Sequence, residues 1–144
     1  MHILVINGPN LNLLGIREPE LYGEASYDDL VSLIEAEALR LGIVVSFVQS
    51  NCEGTLVDAI QGAYGTMDAI IINPAAYTHT SIALLDAIKA VGLPTIEVHL
   101  TNPDEREDFR KVSYIRPACQ ATITGQGFEG YLEALRFFVD IKKL

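Results

Sequence analysis

Ile3-Leu4-Val5-Ile6-Asn7-Gly8-Pro9-Asn10 is a short continuous apolar run closed by a polar turn. Such a run reads as a strand covered on both faces, because a strand wetted on one side would alternate apolar and polar residues. Outward from it, the same unit recurs. Ser26 with Asp29 three residues on has the pattern of a capping box, and Leu30, Leu33, Ile34, Ala38 and Leu41 follow at helical spacing up to Gly42. Periodicity then predicts a strand over 43–48, a helix over 54–64 and a strand over 69–72. A helix over 81–91, stopped by Gly92-Leu93-Pro94, leads to a strand over 95–100. A fifth strand over 121–124 and an amphipathic helix over 128–142 complete the pattern.

Strands that alternate with helices predict an α/β fold, a doubly wound parallel sheet with helices on both faces. No composition shift or linker interrupts the 144 residues, so one domain over 1–144 is expected. An apolar fraction of 49% excludes disorder. Ten Lys and Arg against nineteen Asp and Glu leave a net charge of −9, which disfavours nucleic acid and anionic membrane as partners. No apolar run approaches the roughly 20 residues of a membrane span. With no basic leader and only Cys52 and Cys119 as thiols, a cytoplasmic protein with reduced cysteines is expected.

Ligands of such folds bind beyond the carboxyl ends of the strands. The polar residues there are Asn7, Asn10, Ser50, Asn51, Asn73 and His99. In Thr95-Ile96-Glu97-Val98-His99-Leu100, Glu97 and His99 stand two apart and share a face. Two readings fit them: a solvated ion pair on an exposed edge strand, or a carboxylate that orients an imidazole as a general acid. In the loop from Asn73 to Ser81, Thr80 or Ser81 can cap the next helix. His79 lies just before that helix start, where an anion could be received.

The connection from Asn7 to Gly23 is long for its place and has the character of a lid over about 11–22, with Gly15 and Gly23 as hinges. Only Arg17 and Arg40 are cationic in the first 88 residues, against eleven acids. Arg17 either pairs with Glu18 or Glu20 at the surface, or serves an anion or a phenol that must ionise, for which Tyr22 is the candidate. Competing chemistries lack their markers: there is no Gly-rich phosphate loop, no Ser elbow and no metal-ligand spacing among Cys52, His79 and His99. Cys52 as a nucleophile is weighed against inert packing.

Together the blocks are specific. Asn7 to Gly15, Arg17-Glu18-Pro19, Tyr22-Gly23, Gln49 to Gly54, Asn73 to Ser81, Ile96 to Leu100, Arg106 to Arg110 and Gly130-Tyr131 closely resemble, in order, the signature of type II 3-dehydroquinate dehydratases. The resemblance covers essentially the whole chain. It implies a flavodoxin-like fold and a lyase that removes water from 3-dehydroquinate to give 3-dehydroshikimate through an enolate. It also implies no metal or organic cofactor, and a homo-oligomer, a dodecamer of four trimers.

By the resemblance, Tyr22 is the base, Arg17 the lid cation that keeps it ionised, and Asn10 the holder of a water against the enolate oxygen. His99 is the general acid, oriented by Glu97. Asn73, His79, Leu100, Thr101 and Arg110 are implied to bind the substrate's carboxylate and hydroxyls, and Asp86 to reach a neighbouring subunit's site. The chain departs from the family pattern at Thr101, commonly Ser, at Pro103-Asp104, usually an apolar residue and a His, and at Leu85, often Arg. The alternative of another class is a non-catalytic small-acid binding module on the same fold.

Overall fold

The computed structural model describes residues 1–143. Five parallel strands run in the order β2-β1-β3-β4-β5. They are β1 (His2–Asn7), β2 (Val44–Gln49), β3 (Ala69–Asn73), β4 (Thr95–His99) and β5 (Ala121–Thr124). Helix α1 (Pro19–Tyr22) is a single turn inside the first loop, and α2 (Tyr27–Leu41), α3 (Glu53–Ala63), α4 (Ile82–Val91) and α5 (Glu129–Lys142) are the full-length helices. The order is flavodoxin-like. β1 pairs with both β2 and β3, so the connections change direction beside β1, and a crevice opens there.

The predicted elements are present with ends shifted by one residue at most. The capping box forms as expected: Asp29 N–H donates to Ser26 Oγ at 3.1 Å, and Ser26 N–H donates to Asp29 Oδ2 at 2.8 Å. Strand alternation divides the core into two layers. Ile3, Val5, Ile71, Ile96 and Val98 pack with α2 and α5 through Leu30, Ile34, Tyr131, Leu135 and Phe138. Leu4, Ile6, Ile70 and Ile72 face Leu56 and Ile60 of α3 and Leu84 and Ile88 of α4. Each fully buried side chain of this kind contributes about 1.5–3 kcal/mol relative to exposure, which is what holds the helices to both faces.

The layering has a consequence for β4. That strand lies between β3 and β5 and all five of its residues are buried. Glu97 and His99 are therefore not a solvated edge pair, and the first of the two readings is corrected.

Beyond the sheet, β1 and β3 stay in close contact. Gly8 N–H donates to the Asn73 carbonyl at 2.8 Å. A Cβ on Gly8 would fall 2.5 Å from the Pro74 carbonyl oxygen, so any side chain here would force the two strand ends apart. Gly8→Ala should lower unfolding stability in urea by roughly 1–3 kcal/mol, the usual cost of overpacking a tight site. An unchanged midpoint would show that these strand ends separate freely.

Candidate active site

A cleft opens at the carboxyl ends of β1, β3 and β4. Its walls include Asn10, Arg17 and Tyr22 from the first loop, Asn73 at the end of β3, His79 from the loop that follows it, and His99, Leu100 and Thr101 at the end of β4. Pro103, Arg106 and Arg110 close it from the segment that follows. Three arginines and two histidines thus meet in one cleft of a chain with net charge −9, and no Asp or Glu is among the lining residues. A hollow with cations converging on it and no lining acid is suited to an anion.

Glu97 stands behind the cleft with no solvent exposure, and His99 is 8% exposed in front of it. The His99 Nε2–H donates to Glu97 Oε1 at 2.6 Å, since a carboxylate can only accept. That leaves Nδ1 to exchange a proton with a ligand. Thr78 and Ser113 also donate to Oε1, at 2.6 and 2.8 Å, while Thr122 reaches Oε2 at 3.3 Å. Arg116 lies 3.9 Å from Oε2. Burial alone would push the Glu97 carboxyl up, but the His99 contact and the hydroxyl donors outweigh it and hold the group below its ordinary value.

Tyr22, the last residue of α1, also lines the cleft. Arg106 donates through Nη1 to the Tyr22 hydroxyl at 3.0 Å, and its guanidinium carbon is 5.8 Å from the ring centre. Arg17 sits 5.1 Å from the same centre. The surface pairing of Arg17 is also present but loose, at 3.5 Å to Glu18. Both the first loop and the segment after β4 therefore bring a cation to one phenol.

The remaining predicted residues divide into two groups. Asn10, at φ 69°, and Ala75, at φ 52°, hold left-handed backbone beside the cleft, and Asn10 N–H donates to Asn51 Oδ1 at 3.0 Å. Non-glycine residues adopt this region only where their surroundings hold them there. His79 shares its Nδ1 proton with the Val112 carbonyl at 2.7 Å, which leaves Nε2 free. Burial lowers its pKa, and the hydrogen bond opposes that only in part. Arg110 is anchored on Glu107 at 2.6 Å, and Pro103 begins a 3-10 turn in which Asn102 Oδ1 accepts from Asp104 N–H. Of the departure at Pro103-Asp104, Pro103 thus lines the cleft, and Asp104 is held in the turn without lining it.

Other residues stay outside the cleft. Asp86 is exposed on α4 and does not line it. Ser50 and Asn51 brace loops, since Cys52 N–H donates to Ser50 Oγ and the Tyr77 hydroxyl to the Asn51 carbonyl. Cys52 is exposed at the start of α3, and burial pushes the Cys119 thiol up to about 12. Among the described residues no lysine lines the cleft; Lys111, close by in sequence, pairs with Asp108 on the surface.

The family described as Dehydroquinase class II matches residues 1–139. The chain belongs to that family. It is 55% identical over 144 residues to the 3-dehydroquinate dehydratase of Geotalea daltonii, covering 99% of this chain and 100% of that one. It is 53% identical to the Clostridium acetobutylicum protein of the same name, covering 92% of each. The crystal structure of type II dehydroquinase from Butyrivibrio crossotus superposes with a TM-score of 0.93 at 49% identity, over 95% of this chain and 96% of that one.

Beside the dehydroquinase signature, four side chains with clear roles in the cleft's construction did not stand out singly in the sequence. Arg106 and Tyr131 lie inside quoted motifs, but nothing local distinguishes Arg106 from Arg110 or Tyr131 from a core aromatic. Thr78 and Ser113 are small hydroxyls 35 residues apart that meet only through the fold. A buried Glu in a strand demands several donors, and that requirement is the one signal in the sequence that points to them.

Because the Glu97 carboxyl is depressed in the folded state, it stabilises the protein above the ordinary carboxylate range and loses that contribution as pH falls through its folded value. The stability difference between wild type and Glu97→Gln should therefore shrink as pH is lowered below about 4–5. Urea unfolding at a series of pH values reads this. A difference that grows towards acid would mean that Glu97 is neutral in the fold.

Proposed function

We propose that this chain removes water from 3-dehydroquinate to give 3-dehydroshikimate, the hydro-lyase reaction of its family in the shikimate pathway. The observation that carries the reading is the presence of two groups in one cationic cleft: a tyrosine held by Arg17 and Arg106, and a histidine backed by a buried carboxylate.

A proton beside a ketone is weakly acidic, so the step needs a strong base and a place for enolate charge. The Tyr22 oxygen takes that proton. A guanidinium can only donate hydrogen bonds, so Arg106 and Arg17 favour negative charge on the phenol oxygen. The electron pair moves onto the ketone oxygen, where a water held by Asn10 receives the enolate. Its collapse expels the hydroxyl as the C–O bond breaks, and His99 supplies the proton that makes it water. Glu97 orients His99 and balances its positive charge. Asn73, His79, the Leu100 backbone, the Thr101 hydroxyl and Arg110 bind the carboxylate and remaining hydroxyls. Residues 11–22 act as a lid within one catalytic domain over 1–144, closing to exclude water and bring Arg17 onto Tyr22. With no lysine in the cleft, the path runs through an enolate rather than an imine.

Addition of 3-dehydroquinate should produce the absorbance of a conjugated enone. Tyr22→Phe and His99→Ala should each lower kcat by about 100-fold or more, with smaller changes in KM, as expected for groups acting in the transition state. An inert wild-type protein would overturn the reading. A variant that mainly raises KM would reassign that residue to binding.

The same reading places the chain in the cytoplasm, as a dodecamer of four trimers in which Asp86 serves a neighbour's cleft. Supporting this, Asp86 is exposed one turn from an exposed Ile82 on α4, and Phe109, Val112 and Tyr114 are exposed on the segment that follows β4. Among the described residues no helix is long and apolar enough to cross a membrane. Light scattering should report a multiple of three chains, and a fully active monomer would refute a shared site.

A further inference from the structure

Beneath the cleft lies a chain of hydrogen bonds of which the proposed chemistry uses only one member, Asn73. Asn7 and Asn73 are register partners at the ends of β1 and β3, and both side chains point to the α5 face. Between them is the hydroxyl of Tyr131, a residue of α5 with no solvent exposure. Tyr131 Oη donates to Asn7 Oδ1 at 2.6 Å and accepts from Asn73 Nδ2 at 3.0 Å. Asn7 Nδ2 in turn reaches the Tyr27 hydroxyl at 3.4 Å.

The sense of the chain follows from its first member. Ala75 N–H lies 3.1 Å from the Asn73 side-chain oxygen, and a backbone N–H can only donate. Asn73 must therefore turn Oδ1 to Ala75 and Nδ2 to Tyr131. Tyr131 has one proton, and with Asn73 donating to it, that proton goes to Asn7. Burial raises the Tyr131 pKa, so the hydroxyl keeps this proton across the working range of pH. Asn73 is itself 3% exposed and lines the cleft, so with one Nδ2 hydrogen engaged by Tyr131, the second is the donor left for a ligand.

We propose that Tyr131 is a positioning residue for substrate recognition: its hydroxyl fixes the Asn73 amide so that one N–H is presented to a substrate oxygen. The assignment rests on the function proposed above, and it adds a residue that never touches substrate. Held from both ends, the amide cannot flip and offer its oxygen. The site therefore selects for an acceptor, such as a hydroxyl or carboxylate oxygen, at that point.

Wild-type turnover of 3-dehydroquinate is measured first, and its absence would be a failure of the functional reading rather than of this one. Tyr131→Phe should then raise KM by about 3- to 10-fold, the worth of one buried hydrogen bond, with kcat within about twofold of wild type. Combined with Asn73→Ala, it should add little to the effect of Asn73→Ala alone, because both changes remove the same donor. Tyr27→Phe, at the far end of the chain, should leave KM unchanged. If Tyr131→Phe lowers only thermal stability and leaves KM at the wild-type value, or if the two effects on KM multiply in full, Tyr131 is a structural residue and the proposal fails. A crystal structure of the wild-type protein with 3-dehydroshikimate decides the matter even if Tyr131→Phe does not fold. Asn73 Nδ2 should lie within hydrogen-bond distance of both Tyr131 Oη and a product oxygen, and an amide turned away from either would overturn the assignment.

Discussion

A carboxylate with no solvent exposure in the middle of a parallel sheet is the constraint on which this architecture turns. Stripping Glu97 of water costs several kcal/mol unless its oxygens find other donors. The chain supplies them from separate segments: His99 on the same strand, Thr78 after β3, Ser113 and Arg116 after β4, and Thr122 on β5. Satisfying one buried charge thus ties together the loops that form the cleft. Tyr114 N–H on the Thr78 carbonyl and the Val112 carbonyl on His79 fasten the same two segments again. Three consecutive residues, Val112 to Tyr114, hold both histidine walls in place.

The two faces of the sheet divide the labour. On the α3 and α4 side, Glu97 and His99 form a hydrogen-bonded carboxylate–imidazole pair. On the α2 and α5 side, Asn7, Asn73, Tyr131 and Tyr27 form a neutral chain in which Tyr131 accepts from Asn73 and donates to Asn7. Strand alternation alone creates this separation, because Ile71 and Asn73 share one face while Ile72 and its register partner Glu97 share the other. The cleft lies across the strand ends where the two systems meet, so that His99 of one and Asn73 of the other both line it.

The fold was legible because each element carried its own local signal. The apolar runs of β1 and β3, the Ser26–Asp29 cap and the glycine stops are short-range features, and short-range physics sets where elements begin and end. Much of the site was legible as polar residues standing where buried strands should stay apolar, as with Asn73 and His99. What escaped individual notice depends on separation in sequence. Arg106 is 84 residues from the phenol that it contacts, and Tyr131 is 124 residues from Asn7. No window of sequence contains both partners. The choice between an edge strand and an internal one for Thr95–His99 was open for the same reason: it depends on whether β5 pairs beyond it, a fact of topology.

The distribution of charge shows why so acidic a chain can still bind an anion. Only ten basic residues are present, and three of them line one cleft while acids are kept out of its walls. Other cations are spent on pairs outside the cleft, as where Arg40 and Arg136 hold Glu37 well below the usual carboxylate range, at about 2. Screening over about 8–10 Å at physiological salt confines the effect of the remaining surface acids to their own neighbourhood. Inside the cleft Arg106 and Arg110 are less than one-fifth exposed, so their attraction for a carboxylate is screened much less. The net repulsion of the whole molecule and the local attraction of the site therefore act at different distances. A small anion that reaches the cleft meets the second, while a long polyanion would have to satisfy the first along its whole length.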